Sequence, residues 1–184
     1  MKTPDLSGRI LAELGRRHLL AEDGVTTIFG KPAVREVPPA TEGGPEALSC
    51  ATTPQKQLVS LAFATPWTGA NTCAAWIEQV YARMGFGVVT GDAYELCQGY
   101  CARTELSDLK VGMVVGVEHH PYGADGLTFG HVGLYIGDGK IRDASDEGLR
   151  CVPLSAWLSI YGVMDDPRWG WLGSVALDRA QRTW

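Results

Sequence analysis

The chain predicts an α+β domain built on an antiparallel sheet, and three observations carry that reading. Apolar residues recur at helical spacing in the first half of the sequence. From Lys110 onward they fall in short β-rich runs separated by glycine turns. The two patterns never interleave as strand–helix–strand units, which excludes a parallel sheet.

The elements follow in order. Ser7 can cap a helix reading GRILAELGRRHLLAE, with Ile10, Leu11, Leu14 and Leu19 near one face and Gly24 where it stops. A short VTTIF follows, then KPAVREVPPATEGGPEA, whose proline and glycine content reads as a linker or surface arm. Residues 1–48 are therefore set apart as an N-terminal helix and linker, and 49–184 as the main domain. Thr53 and Pro54 open a helix through QKQLVSLAFAT, with Leu58, Leu61 and Ala62 or Phe63 inward, and Pro66 ends it. After the turn Trp67-Thr68-Gly69-Ala70, Asn71 and Thr72 are candidate caps for a helix from Cys73 to about Met84, stopped by Gly85 and Gly87. GDAYELCQGYCAR reads as partly helical. VGMVVGVE reads as a strand, and HHPYGADGLTFG as a long loop. HVGLYIG and GKIRDA read as two strands joined by Gly137-Asp138-Gly139. The remainder gives two more short strands around a helix at Leu154–Leu158.

Composition narrows the function. The chain has 184 residues, 45% of them hydrophobic, and a net charge of −5 with no basic stripe, which argues against a nucleic-acid partner. No window approaches about 18 consecutive apolar residues, so no membrane span is expected. The first 20 residues are broken by Arg9, Glu13, Arg16 and Arg17, unlike a secretory signal. Five cysteines, an odd number, fit a reducing compartment, and synthesis in the cytoplasm is expected. Cys97, Cys101, His119 and His120 lack the paired ligand spacing of a zinc site, so neither metal nor cofactor is expected.

The chemistry-bearing residue is Cys73. Its place in the first turn of a helix puts the thiol where unpaired N–H groups and the positive end of the dipole favour an anion. Those N–H groups also suit an oxyanion on an attacked carbonyl. The competing reading is a small apolar residue facing the core, with Ile77, Val80, Tyr81 and Met84. A nucleophile needs a base, and His131 opens the strand HVGLYIG on the face of Gly133 and Tyr135. Gly130 and Gly133 beside it leave space for a neighbouring backbone or a ligand. With a three-residue hairpin loop, Ile136 pairs with Lys140, and Gly133 lies opposite Asp143. Asp143 is then a diagonal neighbour of His131, and Ser145, directly opposite, is its rival as the group that orients the ring. A two-residue loop would turn Asp143 to the other face. The Cys73 helix must also pack across the central strands, with its start expected against the His131 face of the sheet.

NTCAAWIEQVYARMG followed by GHVGLYIGDGKIRDA resembles the NlpC-like cysteine peptidases, a branch of the papain-like fold. The resemblance covers roughly residues 55–177, and the His131 strand is its specific part. It implies N-terminal helices packed on a central antiparallel sheet and a catalytic Cys73, His131 and Asp143. It further implies a peptide or peptidoglycan-fragment substrate, as in bacterial cell-wall stem peptides, and a phage-lysis or recycling setting. The sequence departs from the family pattern at Thr72-Cys73-Ala74-Ala75, where Asp-Cys-Ser-Gly is usual, and at Lys110-Val111-Gly112-Met113, where Lys-Pro-Gly-Asp is usual. Its third residue is Asp143, where His is common. Trp67, Thr72 and Gly130, beside the nucleophile and base, are the candidate substrate contacts. Two other readings stay open: the same triad acting on another amide or thioester, and a degenerate module that binds cell-wall peptides or a protein.

Overall fold

Thr52 shows how locally the first described helix is specified. Its hydroxyl accepts from the Gln55 amide at 3.4 Å while Gln55 Oε1 accepts from the Thr52 amide at 2.6 Å, a reciprocal cap with a proline in the first turn. The computed structural model describes residues 43–179. The helix expected near residues 8–22 and most of the linker lie outside that range. Helix α1 (Thr53–Ala64) buries Gln55, Leu58, Val59 and Ala62. Phe63 is exposed, and its ring instead lies under the Arg142 guanidinium, 4.4 Å from the ring centre.

Helix α2 (Cys73–Ala82) ends two residues before Met84, and Gly85 takes a left-handed φ of +82° in the turn that follows. It buries Ala74, Trp76, Ile77, Val80 and Tyr81. Trp76 stands off the apolar stripe yet is fully buried, because α1 as well as the sheet packs on this helix. Its indole N–H reaches the Thr65 carbonyl at 3.4 Å, and Arg83 Nη1 donates to Ala64 and Thr65, closing the α1–α2 corner. Helix α3 (Ala93–Tyr100) starts on a capping box of Asp92 and Glu95.

The strands are β1 (Val114–Val117), β2 (His131–Gly137), β3 (Lys140–Ser145), β4 (Gly148–Pro153) and β5 (Arg168–Gly170). They form one antiparallel sheet in the order β4-β3-β2-β1-β5, with β2 central. The segment read as a long loop before β2 contains helix α4 (Gly123–Phe129), and α5 (Leu154–Tyr161) follows β4.

All seven residues of β2 are buried, so this sheet has no solvated face at its centre. On one face Gly116 brings the Cys97 side chain of α3 to within 3.3 Å of where a Cβ would stand. Arg142, opposite Leu134, reaches the Ala62 carbonyl of α1 at 3.1 Å on that same side. The other face carries His131 and Asp143 and is covered by Trp157 and Tyr161 of α5. The centre of the sheet is buried on both sides because α1 and α3 close one face and α5 closes the other.

The β2–β3 hairpin also differs in detail from its expected form. Gly137 pairs with Lys140, leaving a two-residue loop in which Asp138 and Gly139 both have positive φ, 51° and 66°. A bulge between Tyr135 and Gly137 adds the missing residue, so Gly133 still lies opposite Asp143. Loop shortening and bulge cancel, and Asp143 stays on the His131 face.

Candidate active site

The start of α2 meets the start of β2. His131 and the backbone N–H groups of Val132 and Ala74 act on the Cys73 thiol and favour its charged form. Thr72, at the cap position, makes no side-chain cap bond to the helix. Its hydroxyl bonds the Gly69 carbonyl at 2.6 Å and Thr68 Oγ1 at 2.5 Å. This corrects the expectation that Asn71 or Thr72 caps the helix: the first-turn amides are left for the sulfur and for whatever approaches it.

His131 is buried, and its Nε2 lies 2.9 Å from Asp143 Oδ2. That leaves Nδ1 as the ring nitrogen facing the thiol. Asp143 has no exposed surface, and its two oxygens serve four contacts. Oδ2 takes His131, Arg150 Nη2 at 2.6 Å and the Trp157 indole N–H at 3.2 Å, while Oδ1 takes Arg150 Nε at 3.0 Å. Ser145 is turned away from the ring. Its hydroxyl donates to Gly148 O at 2.9 Å inside the β3–β4 turn.

The charges at this site favour ionised groups despite burial. Burial opposes the thiolate, but the His131 charge and hydrogen bond and the two backbone amides together bring the Cys73 thiol below its ordinary range. Burial likewise opposes the imidazolium, and Cys73 and Asp143 outweigh it, raising His131 well above its ordinary value. Asp143 is desolvated yet stays below the usual carboxylate range, because His131 and Arg150 stabilise its charge. The mutually consistent state is a Cys73 thiolate beside a His131 imidazolium, and Cys73 is partly open to solvent.

The other singled-out residues shape the surroundings. Trp67 keeps 43% of its surface exposed, and its indole N–H bonds Ser145 O at 3.0 Å. With Asn71 N on Asp146 Oδ1 at 3.2 Å, it ties the loop before α2 to the β3–β4 turn. Gly130 has φ +70° and ψ −158°, and a Cβ there would stand 2.3 Å from Val117 O and 2.5 Å from Glu118 O. The room at Gly130 is taken by the end of β1.

Sequence reasoning missed Arg150, Trp157, Tyr161 and His120. Tyr161 stacks on the His131 ring with centroids 4.3 Å apart, and His120 meets that ring edge-on at 5.9 Å. His120 Nδ1 accepts from the Tyr122 amide at 3.3 Å, and desolvation holds its pKa down to about 4. It is a neutral neighbour. Arg150 was legible in principle, because the β3–β4 register places it directly opposite Asp143. Among the described residues, no group of three or more His, Cys, Asp or Glu could hold a metal ion, and no helix is long and apolar enough to cross a membrane.

No family model matches the chain, and no curated protein matches it in sequence. Among solved structures, NlpC1 from Trichomonas vaginalis is similar over 65% of this chain and 45% of its own, with 13% identity and a TM-score of 0.46. An NlpC/P60 family protein from Bacillus cereus is similar over 66% of this chain and 37% of its own, with 16% identity and a TM-score of 0.42. The chain thus spans less than half the length of either protein.

Proposed function

We propose that this protein is a cysteine peptidase or amidase of the NlpC-like type, with Cys73 as nucleophile, His131 as proton carrier and Asp143 as the residue that orients His131. One observation carries the reading. A thiol in an uncapped first helical turn is shifted toward its charged form by an imidazole whose Nε2 is held by a buried carboxylate.

The Cys73 thiolate attacks an amide carbonyl carbon. A carbon–sulfur bond forms, and the carbonyl electron pair moves to oxygen beside the free amides at the start of α2. His131 Nδ1–H then protonates the amide nitrogen, the carbon–nitrogen bond breaks and the amine leaves. Neutral His131 next takes a proton from water, whose oxygen attacks the thioester and expels the thiolate. Asp143 holds the Nε2–H side throughout, so the ring presents one nitrogen to the reaction. The exposed Trp67 ring, in the loop that leads into α2, is the proposed apolar contact for the substrate.

The substrate class follows from the resemblance of the His131 strand: a peptidoglycan stem peptide, met in a recycling or phage-lysis setting. The test compares the protein with Cys73→Ala on peptidoglycan fragments, with mass spectrometry reading new amine ends. Product from the wild type alone supports the reading. Equal product from both proteins refutes the thiol mechanism. Binding without product from either favours a non-catalytic module, and turnover only of other amides or thioesters moves the substrate outside the cell wall.

A further inference from the structure

Four side chains, the His131 imidazole among them, form a closed circuit. His131 bonds Asp143, Asp143 is gripped by the Arg150 fork, and Arg150 Nη2 donates to the Tyr161 hydroxyl at 2.9 Å. The Tyr161 ring then returns to stack on His131, the two planes 26° apart. The circuit joins β2, β3, β4 and α5. Arg150 hydrogen-bonds both the carboxylate that holds one edge of the imidazole and the phenol that covers its face, and it brings a charge that Trp157, which also bonds Asp143 and packs on the Tyr161 ring, does not.

We propose that Arg150 is a positioning residue of this site, which locks Asp143 and Tyr161 against His131 and offsets the Asp143 charge so that His131 can release its proton to a leaving amine. The inference rests on the thiol-hydrolase reading given above. A planar fork that engages both carboxylate oxygens fixes a carboxylate's rotation as well as its place, which a single donor does not. The charges are balanced: thiolate and Asp143 against imidazolium and Arg150. Without Arg150, buried Asp143 would have His131 as its sole cationic partner in this circuit. The proton would then be held too tightly for a general acid working near neutral pH.

The groups that face His131 are known from each packed element. They are Cys73 from α2, Asp143 from β3, Tyr161 from α5 and His120 from the segment before α4. Arg150 of β4 stands behind Asp143, and Asp146 acts on His120 from the β3–β4 turn. His120, with its pKa near 4, stays uncharged across the range tested.

The experiment measures the rate at which iodoacetamide alkylates Cys73 against pH, in the full chain, for wild type, Arg150→Met and Arg150→Lys. Peptide mapping assigns the label, and thermal melts check folding. Removing a positive charge raises neighbouring pKa values, so both steps of the wild-type profile should move to higher pH in Arg150→Met. The shift should be on the order of one unit, at the low end of charge effects at this range because the Arg150 side chain is 39% exposed. Arg150→Lys keeps the charge and loses the fork. It should leave the steps in place and lower the rate by about 3- to 10-fold.

A folded Arg150→Met whose rate falls equally at every pH, with its steps unmoved, would reduce Arg150 to plain structural support and overturn the proposal. If Arg150→Met does not fold, Arg150→Lys decides alone, and a wild-type rate in that variant overturns the proposal. A wild-type profile unchanged by His131→Gln removes the thiol–imidazole site itself, and the proposal with it.

Discussion

Replacing Asp143 by Asn exchanges one oxygen for an NH2 group and removes one charge where there is no solvent. Oδ2 has three donors on it and Oδ1 has one, so the amide oxygen does best in the Oδ2 place, serving His131, Arg150 Nη2 and Trp157. The NH2 group then faces Arg150 Nε, donor against donor, and the guanidinium must withdraw. A fully buried pair broken this way costs about 3–5 kcal/mol. Arg150 is 39% exposed and can rehydrate, so a stability loss of about 1–3 kcal/mol is the discounted expectation.

The effect on chemistry is larger. An opposite charge at this distance moves a pKa by about 1–3 units, and losing it lowers the imidazolium's preference for its proton by that amount. The thiolate–imidazolium state at neutral pH falls in step, so alkylation of Cys73 and amide turnover should drop by about 10- to 1000-fold. The assay is iodoacetamide labelling at pH 7 with a parallel urea melt, and Ser145→Ala serves as the control. Wild-type labelling in Asp143→Asn, or an equal loss in Ser145→Ala, would refute the assignment of Asp143 as the orienting group.

Three further outcomes are expected. Cys73 should be alkylated first among the five thiols. The Cys97 thiol is brought down to about 7, chiefly by a hydrogen bond from Cys101, but it is buried, so faster labelling there would defeat the argument from access. Gly130→Ala should lower stability by about 2–4 kcal/mol in a denaturant melt, since its backbone suits only glycine and its Cβ would meet the Val117 and Glu118 carbonyls; an unchanged melt would contradict that geometry. Stability should also depend on pH through the coupled pair. His131, raised from 6.5, contributes stability that is present below that value and lost as pH rises through its folded pKa, while Cys73, lowered from 9.0, contributes stability present above 9.0 and lost as pH falls through its folded pKa. The two slopes oppose each other where the windows overlap between 6.5 and 9.0, so a pH dependence of stability left unchanged by His131→Gln would exclude the ion pair.

The parts of this site legible in the sequence are those set by short-range rules. A cysteine just past a turn, a strand beginning with histidine, and a count of residues around Gly137-Asp138-Gly139 were enough to bring Cys73, His131 and Asp143 into one argument. The count reached the observed register by a different route, because a two-residue loop with a bulge advances the chain as far as a three-residue loop. Trp76 shows the limit of such short-range rules. Helical periodicity locates one buried face, and a helix covered by both a sheet and another helix has two.

The rest of the site was hidden because its partners come from elements whose meeting is a tertiary event. Tyr161 and Trp157 belong to a helix readable as ordinary core, and nothing in LSAWLSIY says that one indole N–H will end on a carboxylate. His120 is the sharpest case. The segment after it reads as loop because Gly123 and Gly126 are poor helix formers, yet Gly123–Phe129 is helical. A Cβ on Gly126 would stand 2.2 Å from His120 Cε1, and the Gly126 carbonyl accepts from the His120 amide at 2.9 Å. The glycine that argues against the helix is the residue that admits the His120 ring. Its cost in helix propensity is about 1 kcal/mol, small beside the several kcal/mol of overpacking that a side chain would impose there. Local preference therefore gives way at this position, where the wall beside His131 is built.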